Sequence, residues 1–248
     1  MAKSAGLAQD FFVEGYQLGG DVSNINEASS PRNLLEVPIL NKSAMDRLNG
    51  QSSGVIDFGS WFNDATAQEH AALKGRVTTD VVMLWALGGA IGSVAASLDA
   101  KQINYDFTRG TDGSLAATVR GESTNGYPLE WMNLLTAGKI THSSAANGTS
   151  RDDASATTQG IRANVQIVDT DSGTPTIVIQ DSANDSSFAT ILSFTAVAAG
   201  SEPVGERKQA TGAVRRYLRV ATTGSFSNCD FIVAYVRGTA VDDEDLSS

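Results

Sequence analysis

The chain has 248 residues, 24 of them glycine, with a formal net charge of −10 and a single cysteine. That length allows one large β domain or two ordinary ones, and the acidic surplus argues against an outer surface built to grip DNA. Cys229 alone excludes an intrachain disulfide, and with no membrane-length apolar run and no signal-peptide core the expectation is a soluble protein made in a cytoplasm, with no membrane partner.

Residues 1–30 mix isolated aromatics with Gly, Ser, Asn and Asp. They read as an arm that packs on another copy of the chain, with Phe11, Phe12 and Tyr16 as candidate inter-subunit contacts. Leu34 to Leu40 reads as a strand interrupted by Pro38, which suits a sheet edge, and Ser43 to Leu48 as one helical turn. After Ser53-Gly54, the run Val55 to Phe62 puts Ile56, Phe58 and Phe62 on one face. Asn63 or Asp64 is placed to cap a helix over Ala65 to Lys74, with Gly75 as its stop.

The stretch from Thr79 to Glu122 organises the rest. Val81 to Leu87 is β-branched and too short for a buried helix, Ser97 to Tyr105 is a second extended run, and Asp112-Gly113 turns the chain into the alternating Leu115, Ala117 and Val119. Asn125 to Ala137 is ambiguous between strand and helix, and the alternation of Tyr127, Leu129 and Trp131 favours strand. Gly138 to Gly160 has no sustained apolar period and reads as a linker or long exposed loop. Beyond it, short strands at Ile161–Val168, Thr176–Gln180, Phe188–Val197, Val214–Thr222 and Phe231–Val236 suggest a compact sandwich. The expected layout is an arm (1–30), a β domain (31–140), a linker (141–160), a C-terminal immunoglobulin-like or jelly-roll β-sandwich (161–238), and a disordered acidic tail (239–248).

The charge is uneven. Residues 1–137 hold 15 acidic and 9 basic side chains, whereas residues 138–241 hold 9 of each. No chemistry stands out against this background. His70 and His142 are far apart in sequence and lack zinc-site spacing. Asp169, Asp171, Asp181 and Asp185 lack the glycine and terminal glutamate of a calcium loop, and read as turn residues. Gly88-Gly89-Ala90-Ile91-Gly92 has no lysine to make it a phosphate cradle, and Asp57, Asp80, Asp99 and Asp106 show no sign of converging. No catalytic, cofactor or metal residue is assigned, and no enzyme activity is expected. The one basic-aromatic run is VRRYLRV, in which strand alternation puts Arg215, Tyr217 and Arg219 on one face. They are candidate outer-surface binding residues, the other reading being arginines paired with local acids.

The runs MAKSAGLAQDFFVEGYQLGGDVS, NKSAMDRLNG, GVIDFGSWFN, AKQINYDFTRGTDGSLAATV and NGYPLEWMNLLTAG resemble tail proteins of long-tailed, siphovirus-like bacteriophages, of the major tail tube type, over residues 1–140. The resemblance implies a mainly β fold: a tail-tube-like β-sandwich or barrel with one flanking helix, carrying an appended C-terminal β-domain. It also implies a non-enzymatic structural virion protein, made in the host bacterial cytoplasm, that self-assembles into stacked hexameric rings beside other tail proteins. The rings form the conduit for phage DNA ejection, with viral DNA passing through the lumen without specific binding. A conduit should be electronegative, because basic contacts add counterion-release affinity and slow passage; the acidic first half suits that role. TIVIQDSANDSSFATI and RRYLRVAT are similar to discoidin-like carbohydrate-binding modules, which implies host surface glycans as a further partner. The alternatives are a head decoration or other virion surface protein, and a carbohydrate-binding module protein.

Overall fold

The computed structural model describes residues 9–37, 44, 46–76 and 79–238. They are mainly antiparallel strand, with one short helix. The N-terminal half contains β1 (Asp10–Val13), β2 (Tyr16–Gln17), β3 (Val22–Ser29), β4 (Arg32–Val37), β5 (Asp46–Ser52), β6 (Val55–Trp61), the helix α1 (Glu69–Leu73), β7 (Asp80–Ala86), β8 (Val94–Gln102), β9 (Asp106–Arg109), β10 (Leu115–Ser123) and β11 (Glu130–Leu134). The C-terminal half contains β12 (Ile140–His142), β13 (Arg151–Asp152), β14 (Ile161–Gly173), β15 (Thr176–Ser182), β16 (Ala189–Ser193), β17 (Val204–Ala210), β18 (Tyr217–Thr223) and β19 (Phe226–Arg237).

One sheet joins the halves. Its main path runs β17-β14-β19-β11-β8-β10-β6-β3, a second sheet runs β13-β18-β15-β16, and β4 and β5 pair only with each other. Successive side chains on a strand point to opposite faces, so one strand can feed two cores. Phe11 and Val13 of β1 enter a core with Ile56, Phe58, Met83, Leu98 and Val119. Phe12, between them, enters a second core with Leu84, Ala95, Met132, Ile232 and Ala234. Phe231, Val233 and Tyr235 of β19 point the other way, into a third core closed by Ile177, Ile179, Leu218 and Val220.

The expected arm is therefore corrected from Asp10 onward. β1 pairs with β7, setting Phe11 beside Trp85 and Phe12 beside Leu84, and both phenylalanines are buried inside their own subunit. Tyr16 is half-buried against the first core, with the Arg76 guanidinium over its ring. DFFV has apolar groups on both faces because β1 is covered on both faces, a pattern that reads as irregular only when one covered face is assumed. The helix is shorter than expected because Ala67 takes a left-handed backbone (φ 59°), which delays the first turn to Glu69. Residues 46–48 are strand rather than helical turn, since they pair with Glu36, Val37 and Leu35. Pro38, Ser43, residues 1–8 and the tail 239–248 lie outside the described residues.

The stretch from Gly138 to Gly160 follows the C-terminal half closely. Ile140 pairs with Phe231, Arg151 with Leu218, and isolated bridges join Asn147 to Ala221 and Thr157 to Val214. The joint between the halves is polar. β14 turns Ile161, Ala163, Val165 and Ile167 into the third core and sets Arg162, Asn164 and Gln166 against the N-terminal half. Asn164 Nδ2 donates to Ser97 Oγ (2.8 Å), Gln166 Nε2 donates to Asn164 Oδ1 (2.8 Å), and the Gly15 N–H donates to Gln166 Oε1 (2.6 Å). Beside this amide ladder, Glu130 joins Arg162 (2.5 Å) to Arg207, whose Nη1 lies 3.7 Å from Asp99 Oδ1. Burial, opposed by Arg207, holds the Asp99 carboxyl above its ordinary value.

Candidate assembly interface

The residues with the largest unexplained exposure lie on the β4–β5 hairpin. Its root is tied by the Ser53 N–H donating to Pro31 O (3.0 Å) and by a hydroxyl contact between Ser30 and Ser52 (2.7 Å). Beyond the root, Leu34 and Leu35 are consecutive and so face opposite sides, and Leu35 pairs across the ladder with Leu48. Their exposures are 59%, 56% and 57%. The Arg47–Glu36 contact (3.5 Å) joins two solvent-exposed side chains and adds little. A two-stranded ladder with no third strand or covering helix is marginally stable in water. Here both faces carry leucine, and among the described residues no other sheet covers either face.

The outward face of β3-β6-β10 differs from the hairpin. Its register sets Glu27 beside Asp57 and Asp57 beside Arg120, so two carboxylates and a guanidinium line up across three strands, with Glu122 two residues along from Arg120. Arg120 contacts Glu27 (3.1 Å), Glu122 (3.0 Å) and Asp57 (3.6 Å), leaving three carboxylates on one guanidinium. The Ser29 hydroxyl and then Arg120 hold Glu27 below its usual range. Asn26 donates to Asp57 Oδ1 (2.7 Å), and Trp61, on the same face by alternation, is half exposed. The face is polar, acidic and open.

Around α1 lies an aromatic cluster of Phe62, His70, Tyr105 and Phe107, with ring centroids 4.6 to 6.4 Å apart. Tyr105 donates to Glu69 Oε2 (2.9 Å), and Ser60 donates to Glu69 Oε1 (3.0 Å). Burial first, and then the Glu69 carboxylate, push the Tyr105 phenol far above its ordinary value. At neutral pH it is a fixed hydrogen-bond donor rather than an acid or base.

In VRRYLRV the observed alternation places Leu218 and Val220 in the third core and Tyr217 and Arg219 on the outer face. The arginines are engaged locally. Arg215 makes a charge-assisted pair with buried Asp181 (Nη2–Oδ1 2.6 Å), Arg216 pairs with Asp152 (2.5 Å), and Arg219 donates to Gln180 (2.9 Å) while lying 3.9 Å from the Phe188 ring centroid. The reading of arginines paired with local acids describes Arg215 and Arg216; Arg219 instead binds an amide and an aromatic face.

The other titratable groups stay apart. His70 sits by α1, whereas His142 contacts Thr222 (2.8 Å) and Phe231. Asp57 meets Arg120, Asp80 meets Lys101, Asp99 lies at the joint, and Asp106 accepts from Asn104 (2.9 Å). Among the described residues no group of three or more His, Cys, Asp or Glu is placed to hold a metal ion, and no helix is long and apolar enough to cross a membrane.

Sequence reasoning missed the hairpin leucines and the joint. Two adjacent leucines in a polar stretch mark one strand with both faces apolar, which was the available signal for the hairpin. Arg162, Asn164 and Gln166 alternate like a solvated face and gave no signal that they are buried.

No protein-family model matches the chain, and neither does any curated protein. Solved structures match loosely. The Dit (gp 19.1) protein of SPP1, described as a hub adsorption apparatus in phages infecting Gram-positive hosts, aligns over 94% of this chain and 100% of its own, at 9% identity and a TM-score of 0.32. A chain of the phage p2 baseplate in its activated conformation with Sr aligns over 93% and 99%, at 8% identity and a TM-score of 0.34. The corresponding calcium form gives 94%, 99%, 9% and 0.34. Superpositions this loose carry no weight for the role of the chain.

Proposed function

We propose that this chain is a structural, non-catalytic subunit of a bacteriophage tail, of the tail-tube type, which joins copies of itself into closed rings. The β4–β5 hairpin carries the reading. It is a ladder too small to stand alone, with leucines on both faces, and a neighbouring copy is the partner that covers it. A hairpin received by a different patch of the neighbouring copy makes a head-to-tail contact, and such contacts close into rings when the rotation permits. The open face of β3-β6-β10 supports the conduit part of the proposal. Glu27, Asp57 and Glu122 outnumber Arg120, and an acidic wall repels phosphate rather than retaining it.

Purified full-length protein viewed by negative-stain microscopy, with its mass distribution followed against concentration, tests the proposal. Stacked rings forming tubes support the tail-tube assignment. Single rings that never stack support a ring placed at the end of a tube. A chain that stays monomeric or trimeric at every concentration refutes ring formation and favours a head decoration role.

A further inference from the structure

The sequence contains four Asx-Gly pairs: Asn49-Gly50, Asp112-Gly113, Asn125-Gly126 and Asn147-Gly148. In such pairs the next residue's backbone nitrogen has no Cβ beside it, so it reaches the side-chain carbonyl carbon more easily than in any other sequence. The fold treats the four pairs differently.

Asn147 forms an antiparallel bridge with Ala221, and the Gly148 N–H donates to Val220 O (2.8 Å), so its nitrogen is engaged in a ladder. Asp112 accepts from Ser114 N (3.0 Å) and Ser114 Oγ (2.7 Å), the hydroxyl being the larger influence holding its carboxyl below the usual range, and the Gly113 N–H donates to Gly110 O (3.1 Å). A tethered carboxylate anion is a poor electrophile. Asn49 is held extended in β5 opposite Leu34, and Gly50 packs so closely on the neighbouring strand that a Cβ there would come within 2.9 Å of Asn33 O.

Asn125-Gly126 has none of these restraints. Both residues are exposed and left-handed (φ 60° and 78°), and the turn they form is closed by one long hydrogen bond from Tyr127 N to Thr124 O (3.3 Å). Apart from its chain neighbours, no atom lies within 4 Å of the position a Gly126 Cβ would take. The two residues are free to leave the turn and bring nitrogen to carbon.

We propose that Asn125-Gly126 is a spontaneous modification site, at which the folded chain converts asparagine to aspartate and isoaspartate faster than at its other Asx-Gly pairs. The Gly126 backbone nitrogen, losing its proton to hydroxide, forms a bond to Asn125 Cγ. The Cγ–Nδ2 bond breaks as the departing nitrogen takes a proton from water and leaves as ammonia, returning the hydroxide and giving a five-membered cyclic imide. Water then opens the ring at either carbonyl. Attack at the side-chain carbonyl gives aspartate, and attack at the main-chain carbonyl gives isoaspartate, with the chain running through Cβ. No oxidant or cofactor is consumed, and the chain gains one negative charge. Gly126 and Tyr127 line, with Arg32 and Ser52, a hollow of about 490 Å³ at the foot of the β4–β5 hairpin. The new charge and the lengthened backbone therefore arise where the hairpin is anchored. The chemistry holds whether or not copies of the chain assemble.

The test is peptide mapping of the full-length protein after incubation at mildly alkaline pH in ¹⁸O-water, folded and in urea. In the folded protein, label and isoaspartate are expected first at residue 125, with rates at Asn147 and Asp112 at least about tenfold lower. In urea the three asparagines are expected to react at similar rates, because only the fold distinguished them. An Asn125→Gln variant should remove most of the early isoaspartate. Equal or faster reaction at Asn49, Asn147 or Asp112 in the folded protein overturns the proposal, and so does an Asn125 that stays intact while its denatured counterpart reacts.

Discussion

If the proposed assembly forms through the hairpin, replacing Leu34 and Leu48 together by serine should dismantle it and leave the folded chain intact. Full burial of a leucine side chain is worth about 1.5–3 kcal/mol relative to exposure. These two retain 59% and 57% exposure, so about 0.9–1.7 kcal/mol each is still to be gained on meeting a partner. The double variant thus forgoes about 2–3.5 kcal/mol per contact, a weakening of about 30- to 300-fold at roughly 1.4 kcal/mol per factor of ten. A ring built as proposed would have one such contact at every junction, so the midpoint for its assembly should move by at least that factor. Sedimentation velocity over a concentration series reads it directly. The isolated subunit should melt as the parent does, within about 0.5 kcal/mol, because neither leucine packs in its own core. A variant that assembles at parental concentration refutes the role of the hairpin. One that melts far lower shows the leucines to be covered within the chain.

Other outcomes follow from the cores and the joint. Phe12→Ala empties a fully buried site in the second core and should cost about 3–5 kcal/mol by urea denaturation, whereas an arm residue would cost almost nothing. Gly15→Ala should cost about 2–4 kcal/mol, combining strain at φ 81° with a Cβ 2.3 Å from Ile167 O; it should leave the secondary-structure spectrum of the surviving folded fraction unchanged. Glu130→Gln leaves Arg162 and Arg207 without their shared carboxylate and should cost about 3–5 kcal/mol. The pH dependence has two limbs. Asp99 has a raised folded pKa, mainly through burial, so the folded state binds its proton first, and acidifying from neutrality toward 3.8 should stabilise the chain through this group. Asp152, held down to about 2 chiefly by Arg216, contributes stability above 3.8 that is lost as pH falls from there to about 2. Denaturant midpoints against pH should show Asp99→Asn flattening the first limb and Asp152→Asn softening the second; a profile identical in both variants would refute these assignments.

Several strands are legible from extended, apolar-rich runs bounded by turn residues: Val81 to Ala86, the run after Asp112-Gly113, and Ile161 to Val168 all lie within observed strands. One physical cause of failure is a strand covered on both faces, as β1 is. DFFV looked irregular and was read as an arm. β17, VGERKQA, went unread because Glu206, Arg207, Lys208 and Gln209 resemble a loop, although Arg207 keeps only 4% of its side-chain exposure and pairs at the joint. The candidate site was less legible still. Phe11, Phe12 and Tyr16 stand out in the sequence by type, but aromatics are common in cores, whereas the exposed leucines do not stand out because leucine is ordinarily inside.

The joint also determines how the halves can move. Two register pairs, Asn133 with Tyr235 and Leu134 with Ala234, extended by the Leu135 N–H donating to Val233 O (2.8 Å), carry the sheet from β11 to β19, and so short a ladder alone would hinge readily. The back of β14 prevents it. Rotating the C-terminal half away from β7 and β8 would strip Asn164 and Gln166 of partners in the N-terminal half and expose the second core along Ile232 and Ala234. Each buried amide left unpaired costs about 1–3 kcal/mol, before the charge cluster around Glu130 is counted. Hydrophobic burial alone would tolerate sliding, because it has no direction. The directional bonds of the amide ladder fix one orientation, so a load applied to the C-terminal half is passed to the sheet that carries β3, β6 and β10 instead of being absorbed by a hinge.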